Sequence, residues 1–153
     1  MKFKQILYSC AIISSISLGA QTAEKTASHV NPFIGTGAAH GSPLSGNNYP
    51  GATMPFGMVQ LAPDNQGGVW KSGYEYSLNN VGGFSHIHSW TMAGLSVMPT
   101  VGALNTRRGP ADGPTTGWTT GYRSRVYKET EKASPGYYAV TLMKGNIHTE
   151  LTS

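Results

Sequence analysis

This sequence predicts an all-β fold, and three observations lead there. Charged residues are only 12% of the chain, which leaves little material for solvent-facing helices. Twenty glycines and nine prolines break it into short segments, as turns between brief strands require. Finally, the chain carries no amphipathic helical period of useful length, whereas YYAVTLM at 137–143 is a compact run of aromatic and β-branched residues of the strand type. At 153 residues there is room for one domain with its own core.

The first twenty residues, MKFKQILYSCAIISSISLGA, have a basic start, an apolar run from Ile6 to Leu18 and a small residue, Ala20, ahead of Gln21. That is the layout of a secretory signal peptide, with cleavage after Ala20. The apolar run is short for a membrane span, so no stable span is expected. Cys10, the only cysteine, has Tyr8 and Ser9 before it and apolar residues after it, which disfavours a lipoprotein cleavage point. The exported chain then holds no cysteine and can form neither a disulfide nor a thiolate metal site. Residues 21–28, QTAEKTAS, form a polar leader, and the ordered domain is expected over 29–153.

Within that domain, 30–68 is punctuated by Pro32, Pro50 and Pro55 and by many glycines, so turns shape it more than ladders do. Gly57–Ala62 reads as a strand of weak alternation, and Asn79–Gly83 supplies a turn. Phe84–His88 reads as a second strand. Leu95–Val101 is a third, at an edge because Pro99 cannot donate to a ladder. Residues 105–121 have no apolar period and are expected to be a long surface loop. Arg123–Tyr127 is the next strand and KETEKASPG a solvated connection. Tyr137–Met143 then forms a hairpin with Ile147–Thr152 across the turn Lys144–Asn146. The last strand leaves an open edge, so the domain is expected to be incomplete at its C-terminal side.

Charge argues against nucleic acid. The formal net charge of +4 includes Lys2 and Lys4, and falls to about +2 without them, with no cluster beyond Arg107–Arg108 and the spaced Arg123 and Arg125.

The richest stretch chemically is Tyr74–Pro99. His86 and His88 are two apart, so on a strand they share a face. Three readings stay open: a zinc pair needing a third ligand, which His40, His148, Asp64 or Glu75 would have to supply; hydrogen-bond donors to a substrate; or structural histidines. Ser85 beside His86 makes no hydrolase triad, because strand neighbours point to opposite faces and no G-x-S-x-G elbow occurs. Trp70, Tyr74, Tyr76, Trp90 and Trp118 lie mainly in glycine-rich surroundings and suit either a sugar face or a sandwich core. Trp90 is the preferred sugar contact.

Acid/base chemistry needs carboxylates, and the chain holds seven: Glu24, Asp64, Glu75, Asp112, Glu129, Glu131 and Glu150. Glu129 and Glu131 read as solvated. Only Asp64 and Glu75 stand in an aromatic, glycine-rich context, and their spacing indicates no opposed pair of the kind glycoside hydrolysis uses.

The strings VNPFIGTG (30–37), YPGATMPFGMVQLAPD (49–64), SGYEY (72–76), GFSHIHSWTMAGLSVMP (83–99) and ASPGYYAVTL (133–142) occur in order across the domain. Together they closely resemble the amino-terminal region of the exo-acting α-mannosidases of glycoside hydrolase family 92. The resemblance implies part of an antiparallel β-sandwich that in the family precedes an (α/α) toroid, and a secreted or periplasmic enzyme that hydrolyses α-mannosidic bonds with inversion and with calcium. It implies further that the catalytic carboxylates and most calcium ligands belong to the toroid, leaving no catalytic or metal residue in this sequence. His86, His88 and Trp90, in the loop at 83–90, are implied as substrate-binding residues at the rim of the site. After His88 the sequence reads SWTMAGLSVMP, where many members carry a Ser-Gly-Thr-Gly type run, and linkage preference is the property this departure touches. The expectation is therefore a truncated mannosidase, inactive alone, whose partners are an α-mannoside glycan and the missing catalytic domain. The alternative is a free-standing carbohydrate-binding sandwich.

Overall fold

The computed structural model describes residues 26–37, 48–65, 73–88, 94–109 and 121–153. The chain divides into two compact units, Met1–Asn31 and Pro32–Ser153. Of the first, 26–30 form a tight turn closed by the amides of His29 and Val30 on the carbonyls of Thr26 and Ala27.

The second unit is all-β and antiparallel. Among the described residues seven strands run β1 (Ala62–Asp64), β2 (Asn80–Val81), β3 (Gly83–Ser85), β4 (Ser96–Val97), β5 (Ser124–Ser134), β6 (Tyr137–Leu142) and β7 (Ile147–Thr152). They form a three-stranded sheet in the order β1-β3-β4 and a four-stranded sheet in the order β2-β5-β6-β7. Every paired register is antiparallel.

The β6–β7 hairpin follows its period of two. Tyr138, Val140 and Leu142 are buried, and opposite them Leu151, Thr149 and Ile147 turn the same way while His148 and Glu150 face solvent. Val126 of β5, Val81 of β2 and Phe84 of β3 complete the buried cluster, so Phe84 is the side chain that joins the small sheet to the large one. Lys144–Asn146, read from sequence as the turn, is a single 3-10 turn with Gly145 at φ 77 and Asn146 at φ 51.

Several strands differ from the sequence reading. Gly57–Ala62 is not a strand: residues 54–57 turn, with the Gly57 amide on the Thr53 carbonyl, and regular pairing begins at Ala62 opposite Ser85. Met58 and Val59 are exposed in consequence. The expected turn at Asn79–Gly83 contains β2. The strand read as Phe84–His88 stops at Ser85, and the one read as Leu95–Val101 is reduced to Ser96–Val97, at the sheet edge as Pro99 requires. Of the loop read at 105–121, the described residues 105–109 form no strand.

The largest correction is β5. KETEKAS continues the strand for eleven residues, with a register irregularity between Tyr127 and Lys132, and the connection shrinks to Pro135–Gly136. Proline followed by a glycine at φ 76 is the order a type II turn demands. The charged run stays in the sheet because Glu131 has partners. Its Oε1 accepts the Tyr74 and Tyr138 hydroxyls, each at 2.7 Å. Lys128 forms an ion pair with its other oxygen and donates to the Tyr74 hydroxyl at 3.0 Å. The Glu131 side chain is only 3% exposed. Burial, with the Glu131 charge adding, pushes both phenols far above their ordinary range, so both remain donors.

Breaking this group on one side leaves buried polar atoms behind. Glu131→Leu is expected to cost about 3–5 kcal/mol in urea denaturation, and Glu129→Ala, at an exposed position of the same strand, less than about 0.5 kcal/mol. Equal small losses would mean that Glu131 is solvated after all.

Candidate functional site

Two adjacent residues at the end of β1 organise the region around the histidines. Asp64 faces β3 and β4. Its Oδ1 accepts the Ser85 hydroxyl at 2.9 Å and its Oδ2 the Ser96 hydroxyl at 3.2 Å. The main chain of Gly83 makes this approach possible, since a Cβ there would collide with the Ser96 hydroxyl. The Asp64 carbonyl also accepts the Gly82 amide at 2.7 Å.

His88 folds back onto the same cluster. Its Nε2 lies 3.0 Å from the Ala62 carbonyl, 2.9 Å from Ser85 Oγ and 3.3 Å from Asp64 Oδ1. A carbonyl only accepts, so Nε2 carries the proton. The Ser85 hydroxyl spends its own proton on Asp64, and Ser85 is buried. Ser, His and Asp are thus together without being a nucleophilic triad: the imidazole nitrogen nearest the serine cannot take its proton, and the hydroxyl does not reach solvent. The cluster fastens the chain. The Gln60 side chain accepts the His88 amide at 3.1 Å, and the Tyr49 ring lies over the imidazole at 4.8 Å between centroids.

His86 goes elsewhere. The chain leaves the strand after Ser85, so the two histidines do not share a sheet face: His88 is 2% exposed, while His86 is half-buried with Nδ1 2.7 Å from the Leu95 carbonyl. Of the proposed third ligands among the described residues, Asp64 comes near His88 and His148 sits 3.4 Å from Glu150 on β7, while His40 lies outside the described residues. Among the described residues no three His, Cys, Asp or Glu side chains converge. Asp64 does not suit calcium, which takes six to eight oxygens, because both of its oxygens are committed to serine hydroxyls. Trp90, Trp70 and Trp118 lie outside the described residues.

Asn65, the next residue, holds a different segment. Its amide group makes a two-point clasp on Glu75, Nδ2 to the carbonyl and Oδ1 from the amide, both at 2.8 Å, and its own amide bonds the Gly73 carbonyl at 2.8 Å. It is 2% exposed. Sequence reasoning missed Asn65, Gln60 and Ser96, and weighed Ser85 only against its neighbour His86; the available signal was the Asp-Asn pair that directly follows an apolar segment and precedes Gly67–Gly68. Beside Asp64 an open groove of about 290 Å³ is lined by Gly82, Ser96, Met98, Thr100, Leu104 and Tyr122 among others.

Residues 29–153 match the Glycosyl hydrolase family 92 N-terminal domain. The chain belongs to glycoside hydrolase family 92. Among solved structures, this family 92 chain is similar to the α-mannosidase BT3965 of Bacteroides thetaiotaomicron in complex with mannoimidazole, at 37% identity and a TM-score of 0.66 over 83% of this chain and 16% of that one. It is also similar to the inverting mannosidase BT2199 of the same organism, at 26% identity and a TM-score of 0.60 over 81% of this chain and 16% of that one. An uncharacterized secreted glycosidase of Arthroderma benhamiae is 30% identical over 125 residues, 81% of this chain and 15% of that protein. The family 92 chain thus spans less than a fifth of the length of each of these relatives.

Burial raises the Asp64 carboxyl above its ordinary value, and the opposing pulls of His88, Ser85 and Ser96 do not cancel it. The unfolded chain then deprotonates first, so the group's contribution to stability is present below about pH 4 and is lost as pH rises through the folded value. Relative to Asp64→Asn, the wild-type protein is expected to lose stability in denaturant titrations as pH rises above about 4. A relative gain over that rise would reverse the assignment.

Proposed function

We propose that this chain is the amino-terminal β-sandwich portion of a secreted, calcium-dependent, inverting exo-α-mannosidase, and that the surface built on the end of β1 is one wall of its sugar site. The observation that carries the reading is the ordered match of 29–153 to the family domain, together with 37% identity to an α-mannosidase solved with mannoimidazole. Inversion is supported by the similarity to a mannosidase described as inverting. Export is supported by the MKFKQILYSCAIISSISLGA segment, with cleavage after Ala20, and by the similarity to a secreted glycosidase. No helix among the described residues is long and apolar enough to cross a membrane.

In this reading the chain binds and orients, and bond cleavage belongs to the catalytic domain of a longer enzyme. An inverting site needs an acid and a base on opposite sides of the scissile bond. Among the described carboxylates, Asp64 is fastened to two serines, Glu131 to two tyrosines and Glu75 to the Ser77 hydroxyl, while Glu129 and Glu150 are exposed on strands of the large sheet. None of these is poised to move a proton to a glycosidic oxygen. Calcium, supplied within the catalytic domain, would hold mannose hydroxyls, and no step in this chain runs through it. His86 and Trp90 meet the substrate. His88 is a positioning residue: from inside the fold it sets where the chain leaves β3, and so where His86 is offered.

The reading has a direct assay. The chain from Gln21 onward is expected to release no mannose from an aryl α-mannoside, with or without calcium. Exchanged for the matching region of the Bacteroides enzyme, it is expected to support hydrolysis that a chelator abolishes and calcium restores, with β-mannose as the first product seen by NMR. Mannose release by the chain alone would overturn the division of labour, and chelator-resistant hydrolysis or α-mannose as first product would overturn the calcium or inversion assignment.

A further inference from the structure

The SGYEY segment is held more tightly than an exposed turn requires. Asn65 clasps Glu75 at two points, the Tyr76 amide donates to the Thr36 carbonyl at 3.0 Å, and the Leu78 amide closes on the Glu75 carbonyl at 3.2 Å. Tyr74, two residues earlier, is buried and bonded to Glu131. The Tyr76 side chain nonetheless stands 48% exposed. Its ring is still fixed in direction. Lys128 places its ammonium 4.2 Å from the ring centroid, and Phe33 meets it edge-on at 5.5 Å with 70° between planes. Lys128 is itself anchored by the Glu131 carboxylate and the Tyr74 hydroxyl.

This is the arrangement of a preset aromatic platform. An exposed tyrosine ordinarily samples rotamers, and ordering it costs free energy when a ligand binds. Here a buried carboxylate, a lysine and a phenylalanine have already ordered it. The ammonium lies over the ring and Phe33 packs against it in a T-shape, while nearly half of the residue stays open to solvent. Ser77 and Glu75 flank it in the chain, the exposed Ser77 donating its hydroxyl to the Glu75 carboxylate, so the same turn carries polar groups beside the apolar ring. A flat π-face with such groups on the same turn fits a pyranoside, whose C–H face stacks and whose hydroxyls bond.

We propose that Tyr76 is a saccharide-stacking residue, oriented by Lys128, and that it extends the sugar-facing wall beyond the loop at 83–90. The inference rests on the reading of this surface as a sugar wall. It ties the two segments together through consecutive residues, since Asp64 fixes the loop that follows β3 and Asn65 fixes the segment that carries Tyr76.

Saturation-transfer NMR on the chain from Gln21, with methyl α-mannoside, methyl α-glucoside and methyl β-galactoside as probes, tests it. Transfer to the mannoside ring protons is expected in the wild-type protein, about three- to tenfold weaker in Tyr76→Ala, and retained in Tyr76→Phe and in Phe56→Ala, an aromatic 89% exposed elsewhere on the surface. Circular dichroism of each variant confirms the fold. Tyr76-dependent transfer to the glucoside or galactoside but not the mannoside would support the platform and contradict the mannoside assignment. Undiminished transfer to the mannoside in Tyr76→Ala would overturn the platform and leave that assignment standing. Absence of transfer to all three sugars would overturn the platform.

Discussion

The end of β1 is the constraint on which the rest of this surface depends. A strand of three residues cannot hold much by its ladder, yet Asp64 and Asn65 reach across to three other segments with side-chain hydrogen bonds. Alternating side chains on a strand point to opposite sides, and that geometry lets neighbouring residues serve different loops. Asp64 takes the hydroxyls of β3 and β4; Asn65 takes both main-chain groups of Glu75, as a ladder partner would. The loop bearing His86 and the turn bearing Tyr76 are therefore positioned by one short rigid element, which suits surfaces that must present several groups to one ligand.

Burying this much polarity is safe only when it is nearly complete. The Glu131 group shows the same design on the large sheet, with two phenols and an ammonium converging on one carboxylate. In each case removing one member would strand the others without water, so these clusters set position more than they add net stability. The apolar cluster around Tyr138, Val140 and Leu142 supplies the hydrophobic part. Tyr138 belongs to both, its ring in the core and its hydroxyl on Glu131, and this links the core to the polar frame behind Tyr76.

How much of this was legible depended on whether the cause was local. The β6–β7 hairpin and its turn follow from alternation and from Gly145, all within sixteen residues of sequence. The all-β class followed from composition, and the family from ordered motifs. KETEKAS read as solvated because nothing nearby reveals that Tyr74, 57 positions before Glu131, supplies a hydroxyl. The two histidines read as a strand pair because the pattern does not show that pairing with β1 ends at Ser85; beyond it, Gln60 and Ala62 draw His88 inward. Asn65 passed unnoticed for a like reason: an asparagine before glycines reads as a turn residue, and its use as a clasp depends on Glu75 being opposite.

Native-state hydrogen exchange in Asn65→Ala tests the central claim most directly, because it reads the two loops and the core separately. The account predicts that the amides of Glu75 and Tyr76 exchange about tenfold faster or more, while those of Tyr138 and Val140 keep their protection. Unchanged exchange at Glu75 and Tyr76 would contradict the claim that the end of β1 holds this segment in place.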